Sequence, residues 1–209
     1  MNILQNYRKI KREMNNLSST TKLIVVCKNQ KLANILPILE DGHVHFGENR
    51  VQEAKNKWKL VDKKFSNIKL HFIGKIQSNK VKELFGLFHF VHSLDSQKLA
   101  KCFSKEENKL KIKLKYFIQV NIGDEPQKSG VAFNDCENLL QYCKTLNLDI
   151  IGLMCIPPVD KEPKDFFIKL SKLNKFFNLK ELSMGMSSDY KEAVECGSTF
   201  VRVGSAIFS

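Results

Sequence analysis

The sequence predicts an α/β chain folded as a (β/α)8 TIM barrel with an extra helix at its N-terminus. Eight short apolar runs recur along the 209 residues, amphipathic segments of helical period lie between them, and glycines close several of those segments. Strands that alternate with helices pair in parallel through helical crossovers, and eight such strands close a barrel. At 43% hydrophobic residues the chain can bury one sizeable core. No Pro/Gly/Ser-rich linker divides it, so a single domain over residues 1–209 is expected, compact and with short loops.

The leading segment Met1–Asn16 is polar and charged and lacks the apolar stretch and cleavage site of a signal peptide, so it predicts a first amphipathic helix. Lys22–Cys27 is the first apolar run. The helical pattern Lys31–Glu40 follows and contains Pro37, which removes a backbone donor; the helix either starts later or kinks there. The second run, His43–Phe46, leads into a helix with Val51, Ala54, Trp58, Val61 and Phe65 on one face. Lys69–Ile73, His89–Ser93 and Leu114–Ile122 are the next strands. Phe133, Cys136, Leu139, Leu140 and Cys143 then mark a helix reaching to Leu146. Asp149–Cys155, Glu181–Met184 and Thr199–Val203 complete the eight. Gly42, Gly86 and Gly197 follow helical segments, where a left-handed C-cap needs no Cβ. Asp189 and Glu192 have capping-box spacing and mark a helix start.

Composition narrows the function classes. No stretch approaches the roughly 20 apolar residues of a membrane span, so no membrane partner is expected. The six cysteines (Cys27, Cys102, Cys136, Cys143, Cys155, Cys196) are scattered without a Cys-x-x-Cys pair, which fits buried thiols in a reducing cytoplasm. The net charge of +12 raises nucleic-acid binding, but the basic residues are nearly all lysines and no base-stacking or groove-reading motif accompanies them. Solvated lysine faces explain the charge, and no nucleic-acid partner is expected. His43 and His45 share a strand face on this reading, yet no third ligand has matching spacing, so packing rather than a metal site is expected.

In such a barrel, functional groups gather at the C-terminal ends of the strands. Those ends are Lys28, Phe46-Gly47-Glu48-Asn49, Phe72-Ile73-Gly74-Lys75, His92-Ser93, Asn121, Met154, Met184 through Asp189, and Arg202-Val203-Gly204-Ser205. Lys28 closes an apolar run with an amine. In a partly desolvated pocket that amine becomes a nucleophile toward aldehydes; the alternative is a lysine that snorkels into water. Gly204 and Ser205 after the last strand can aim backbone N–H groups at a phosphate, with Ser187 or Ser188 adding a hydroxyl; helix capping is the alternative use of these serines. Alternation sets directions. If Lys28 points inward, so do Val26 and Ile24, and Cys27 is a packing residue. If Arg202 points inward, so does Phe200, while Val201 and Val203 face the helices. An inward arginine needs a partner, either a ligand or an ion pair with Glu48.

Lysine, phosphate cradle and inward arginine together fit pyridoxal 5′-phosphate (PLP). On these residues the chain resembles the pyridoxal phosphate homeostasis protein family (YggS/PROSC), itself similar to the N-terminal barrel domain of alanine racemase. The matching segments are Val25–Lys28, Phe46–Glu53, His71–Gly74 with Gln77–Lys80, Lys128–Gly130, Gly152–Met154, Ser183–Ser187 and Val201–Phe208, in order over nearly the full length. The resemblance implies a barrel of the alanine racemase N-terminal type. It implies that Lys28 forms the covalent aldimine, that Ser187, Gly204 and Ser205 contact the phosphate, that Arg202 sits beside the pyridine nitrogen and that Asn49 lines the pocket. Cys27, Lys75 and the end at Ser209 depart from the family pattern, where serine, proline or an uncharged residue, and a glycine with a short tail are usual.

An arginine beside the ring nitrogen disfavours its protonation and weakens the electron sink. Racemisation also wants an acid/base on the opposite face, and Tyr7, Tyr116, Tyr142 and Tyr190 occupy no evident rim position. A non-catalytic role is therefore expected: intracellular PLP homeostasis, as a cytoplasmic monomer that buffers the cofactor or delivers it to PLP-dependent apoenzymes. A weak PLP-dependent amino-acid racemase is the alternative.

Overall fold

A computed structural model describes residues 2–209; Met1, the first residue of the expected leading helix, lies outside them. Helix α1 (Ile3–Leu17) starts where the Asn2 side chain accepts the Leu4 N–H at 3.0 Å. Its buried residues Asn6, Tyr7, Ile10 and Met14 follow the helical period. Asn6 Nδ2 donates to the carbonyls of Ile207 and Ser209, fastening α1 to the far end of the chain.

The strands are β1 (Lys22–Val26), β2 (His45–Glu48), β3 (Lys69–Phe72), β4 (Phe90–Leu94), β5 (Lys115–Asn121), β6 (Val131–Ala132), β7 (Asp149–Cys155), β8 (Glu181–Ser183) and β9 (Phe200–Val203). All pair in parallel in the order β4-β3-β2-β1-β9-β8-β7-β5, and β4 pairing with β5 closes eight of them into a barrel. The two-residue β6 adds to β5 and was not legible as an apolar run. The helices are α2 (Leu32–Glu40), α3 (Val51–Trp58), α4 (Gln97–Leu110), α5 (Cys136–Thr145), α6 (Pro163–Phe176), α7 (Tyr190–Glu195) and α8 (Ser205–Phe208). The β3–β4 crossover is a 3-10 helix, Ser78–Leu84. No described helix is long and apolar enough to cross a membrane.

Several boundaries differ from expectation for local reasons. β2 begins two residues later than its apolar pattern, at His45. His43 instead bonds the Tyr7 hydroxyl at 3.2 Å and the His45 carbonyl at 2.9 Å, so the two histidines do not share a strand face. Helix α2 begins at Leu32 and runs through Pro37. Pro37 is the sixth of its nine residues and leaves the Ala33 carbonyl without a helical donor, while buried Ile35, Ile38 and Leu39 hold the turn. Helix α3 stops at Trp58, so Val61 and Phe65 reach the core from the turn and 3-10 segment that follow. The first turn of the expected Phe133–Leu146 helix is 3-10. Asp189 does not cap α7 with its side chain; Oδ1 reaches back to accept the Met186 N–H at 2.6 Å and braces the Ser187–Ser188 loop instead.

Two apolar layers result. Leu23, Val25, Cys27, Phe46, Val201 and Val203 pack outward against the helices, while Ile24, Phe117, Met154 and Phe200 fill the barrel. The alternation along β1 and β9 is the one the sequence predicts.

Candidate cofactor site at the C-terminal mouth of the barrel

Lys28 lies just past β1, in the turn after Cys27, on the C-terminal rim. Its peptide neighbours are clamped on both sides. Lys57 Nζ donates to the Cys27 carbonyl at 2.6 Å and to Glu48 and Glu53 Oε1 at 2.9 and 3.1 Å. Glu53 in turn accepts the Asn29 N–H at 2.7 Å, with Asn29 in the left-handed region at φ 59°. This brace of Glu48, Glu53 and Lys57 was missed from sequence; the i,i+4 spacing of Glu53 and Lys57 was the available signal. Lys28 is exposed, in a turn beyond the last pairing of β1 with β2 at Val26. Among the described residues its amine has neither ion-pair nor hydrogen-bond partner. Cys27, by contrast, is fully buried, and burial pushes its thiol well above the ordinary range, so it packs rather than reacts.

Arg202 points into the barrel and is 4% exposed. Nη1 donates to Ser183 Oγ at 2.7 Å and Nη2 to the Cys155 carbonyl at 2.9 Å. The alternative ion pair with Glu48 does not form. Glu48 faces outward from β2 and accepts from Lys57 and from Trp58 Nε1. No carboxylate pairs with Arg202 among the described residues, so a buried cation lies under the mouth with only neutral acceptors. Burial lowers its pKa from the ordinary value, which measures how poorly it is solvated.

The loops after β8 and β9 converge. Ser187 Oγ accepts the backbone N–H groups of Gly204 and Ala206, both at 3.3 Å. A Cβ on Gly204 would lie 3.2 Å from the Cβ and carbonyl oxygen of Val26, so glycine lets this turn pack closely on β1. Ser205, the first residue of α8, is exposed beside it. Gly185 holds φ 91°, and a Cβ there would meet that of Ala193 at 2.5 Å. Asn49, just beyond β2, is half-buried, and its Oδ1 is buried without a partner. An unpaired acceptor, an unneutralised guanidinium and the Ser187 hydroxyl hydrogen beside Gly204 fit a ligand that carries a hydroxyl, a ring nitrogen and a phosphate. PLP is such a ligand.

Beneath Arg202 lies a feature that sequence reasoning did not assemble. His92 Nδ1 meets Ser183 Oγ, His92 Nε2 meets His71 Nδ1, and His71 Nε2 meets His45 Nδ1, each at 2.9 Å. The rings stack on apolar neighbours, His71 on Phe90 and His92 on Phe117, with centroids 4.2 and 4.3 Å apart. Period-two placement of His45, His71 and His92 on adjacent strands was the signal that could have found them.

Comparison with known proteins places this geometry. The alanine racemase N-terminal domain profile matches residues 1–209. The pyridoxal phosphate homeostasis protein of Haemophilus influenzae is 37% identical over 210 residues, covering 94% of this chain and 88% of that one. Its namesake from Aquifex aeolicus is 40% identical over 173 residues, covering 78% and 75%. PipY of Synechococcus elongatus, solved with PLP bound, superposes with a TM-score of 0.88 at 32% identity, covering 99% of this chain and 100% of that one. Alanine racemase of Clostridium difficile shares the fold, at a TM-score of 0.75 and 14% identity; 97% of this chain matches 56% of that one. The fold is thus a PLP-type barrel of the alanine racemase N-terminal class, and the chain belongs to the pyridoxal phosphate homeostasis protein family.

Proposed function

We propose that this chain binds PLP at the C-terminal mouth and serves PLP homeostasis, holding the cofactor through a Schiff base on Lys28 and buffering or delivering it rather than turning over substrate. When bound, PLP supplies an aldehyde that an amine can trap and a ring that can accept electrons. Lys28 would supply the amine for that aldehyde. Gly204, Ser205 and Ser187 would hold the phosphate, Asn49 Oδ1 would accept from a hydroxyl, and Arg202 would donate to the ring nitrogen.

Arg202 carries the reading: a buried guanidinium with no carboxylate partner is costly unless a ligand uses it. A guanidinium can only donate, so it holds the ring nitrogen as an acceptor and disfavours its protonation, which weakens the electron sink. The tyrosines offer little acid/base help: the hydroxyls of Tyr7, Tyr116 and Tyr190 are bonded to His43, Glu107 and Glu13, and Tyr142 packs in the outer layer. These facts support a holding role. A monomeric state belongs to the same proposal. A cytoplasmic setting, with PLP-dependent apoenzymes as recipients, completes the proposal.

Absorbance of the purified protein with added PLP tests it. A band at the visible edge that Lys28→Ala abolishes is expected. No band in the wild type, or an unchanged band in K28A, defeats the Schiff base. Robust Lys28-dependent racemisation of L-alanine defeats the non-catalytic role.

A further inference from the structure

The chain of side chains under the mouth has a direction, and Arg202 sets it. Arginine has donors and no acceptor. Its Nη1–H therefore donates to Ser183 Oγ. Ser183 is fully buried, and its hydroxyl hydrogen needs an acceptor; within reach that is His92 Nδ1. His92 then carries its proton on Nε2 and donates to His71 Nδ1. His71 likewise donates from Nε2 to His45 Nδ1. The opposite direction would leave a buried hydroxyl hydrogen unpaired beside a cation. The half-buried His45 ends the chain at the N-terminal mouth, in a cavity lined by Lys22, Lys115, Asp149, Lys180 and Glu181. All three imidazoles are neutral: burial lowers the pKa of His45 to about 4 and holds His71 and His92 well below the ordinary value.

We propose that His92, acting through Ser183, is the positioning residue of Arg202, and that the arginine in return locks His92, His71 and His45 into one line of Nε2–H tautomers running from the cofactor floor to the opposite mouth of the barrel. Ser183 has a single hydrogen to give. While His92 takes it, both the Ser183 oxygen and the Cys155 carbonyl accept from the guanidinium and fix its plane. Without that acceptor the serine rotates and the guanidinium loses one of its two anchors. The orientation of Arg202 toward a ring nitrogen rests on the PLP reading above; the tautomer line does not.

Two measurements separate them. In protein without PLP at pH 7, long-range proton–nitrogen correlation spectra are expected to show His92, His71 and His45 protonated at Nε2. A proton on Nδ1 of His92 overturns the proposal. With PLP, His92→Asn keeps an acceptor near the Nδ1 position, whereas His92→Leu removes it; Ser183→Ala cuts the same relay with little change of volume. H92N is expected to keep the wild-type absorption band and PLP release rate. H92L and S183A are expected to shift the band and release PLP about ten-fold faster, the loss of one charge-assisted hydrogen bond. Equal behaviour of H92N and S183A overturns the positioning role, even where H92L fails to fold. Failure of the wild type to bind PLP defeats the function while leaving the tautomer result to stand or fall alone.

Discussion

Acidification should unfold this protein through its interior histidines. His71 and His92 are fully buried, and burial, followed by the repulsion that protonated His71 would meet from a protonated His92 and protonated His92 from Arg202, holds both neutral. Their folded pKa values lie below the unfolded value of about 6.5. The unfolded chain thus binds more protons as pH falls, and the stability contributed above pH 6.5 is lost below it. A histidine that stays neutral in the fold down to pH 5 costs about 2 kcal/mol between pH 7 and pH 5, and two such histidines cost about 4 kcal/mol. That is a large share of the 5–15 kcal/mol typical of folded domains. Glu48 works the other way, because burial raises its pKa and protonation favours the fold as pH falls. Glu13 and Glu83, held below the usual carboxylate range by Tyr190 and Lys191 and by Lys80, titrate at lower pH and leave this window alone.

Urea unfolding at pH 7, 6 and 5 measures the effect. The sole tryptophan, Trp58, is 8% exposed and bonded to Glu48, so its emission reports unfolding. His71→Phe keeps an aromatic ring against Phe90 but cannot titrate. It should be less stable at pH 7, because His92 Nε2–H loses its acceptor, yet its stability should fall less steeply between pH 6 and 5, by about 1.2 kcal/mol. The comparison cancels the Glu48 contribution. A slope in H71F equal to that of the wild type refutes the argument.

Two further substitutions probe the rim. Lys57→Met leaves the buried Glu48 carboxylate without its cation and should cost about 3–5 kcal/mol in urea unfolding, with Glu48→Gln in the same chain recovering much of it; a loss under about 1 kcal/mol would contradict the buried pair. Gly204→Ala presses a methyl on Val26 and should cost about 1–3 kcal/mol. It should also weaken PLP uptake in an absorbance titration, and wild-type affinity in G204A would count against the cradle.

The barrel itself was legible in the sequence because eight strands buried on both faces read as apolar runs, whatever their neighbours. Period two then separated Ile24 and Phe200, which fill the barrel, from Val25 and Val201, which face the helices. The rim positions of Lys28, Gly204 and Arg202 followed from the same two facts. The β6 strand was not legible, since two residues carry no period, and the start of β2 was misjudged because His43 is anchored by Tyr7, 36 positions away.

Sequence by itself determined what is local or periodic: the strands, their inward faces, the lysine at a strand end and the glycines at the cradle. Tertiary structure alone decided the pairings between strands distant along the chain. It gave Arg202 a serine and a carbonyl in place of Glu48, left Lys28 exposed on a braced turn, and joined His45, His71, His92 and Ser183 into one line. Residue type limits what a side chain can donate or accept, but barrel closure chooses its partner, because closure brings β2, β3, β4 and β8 to face one another across the interior.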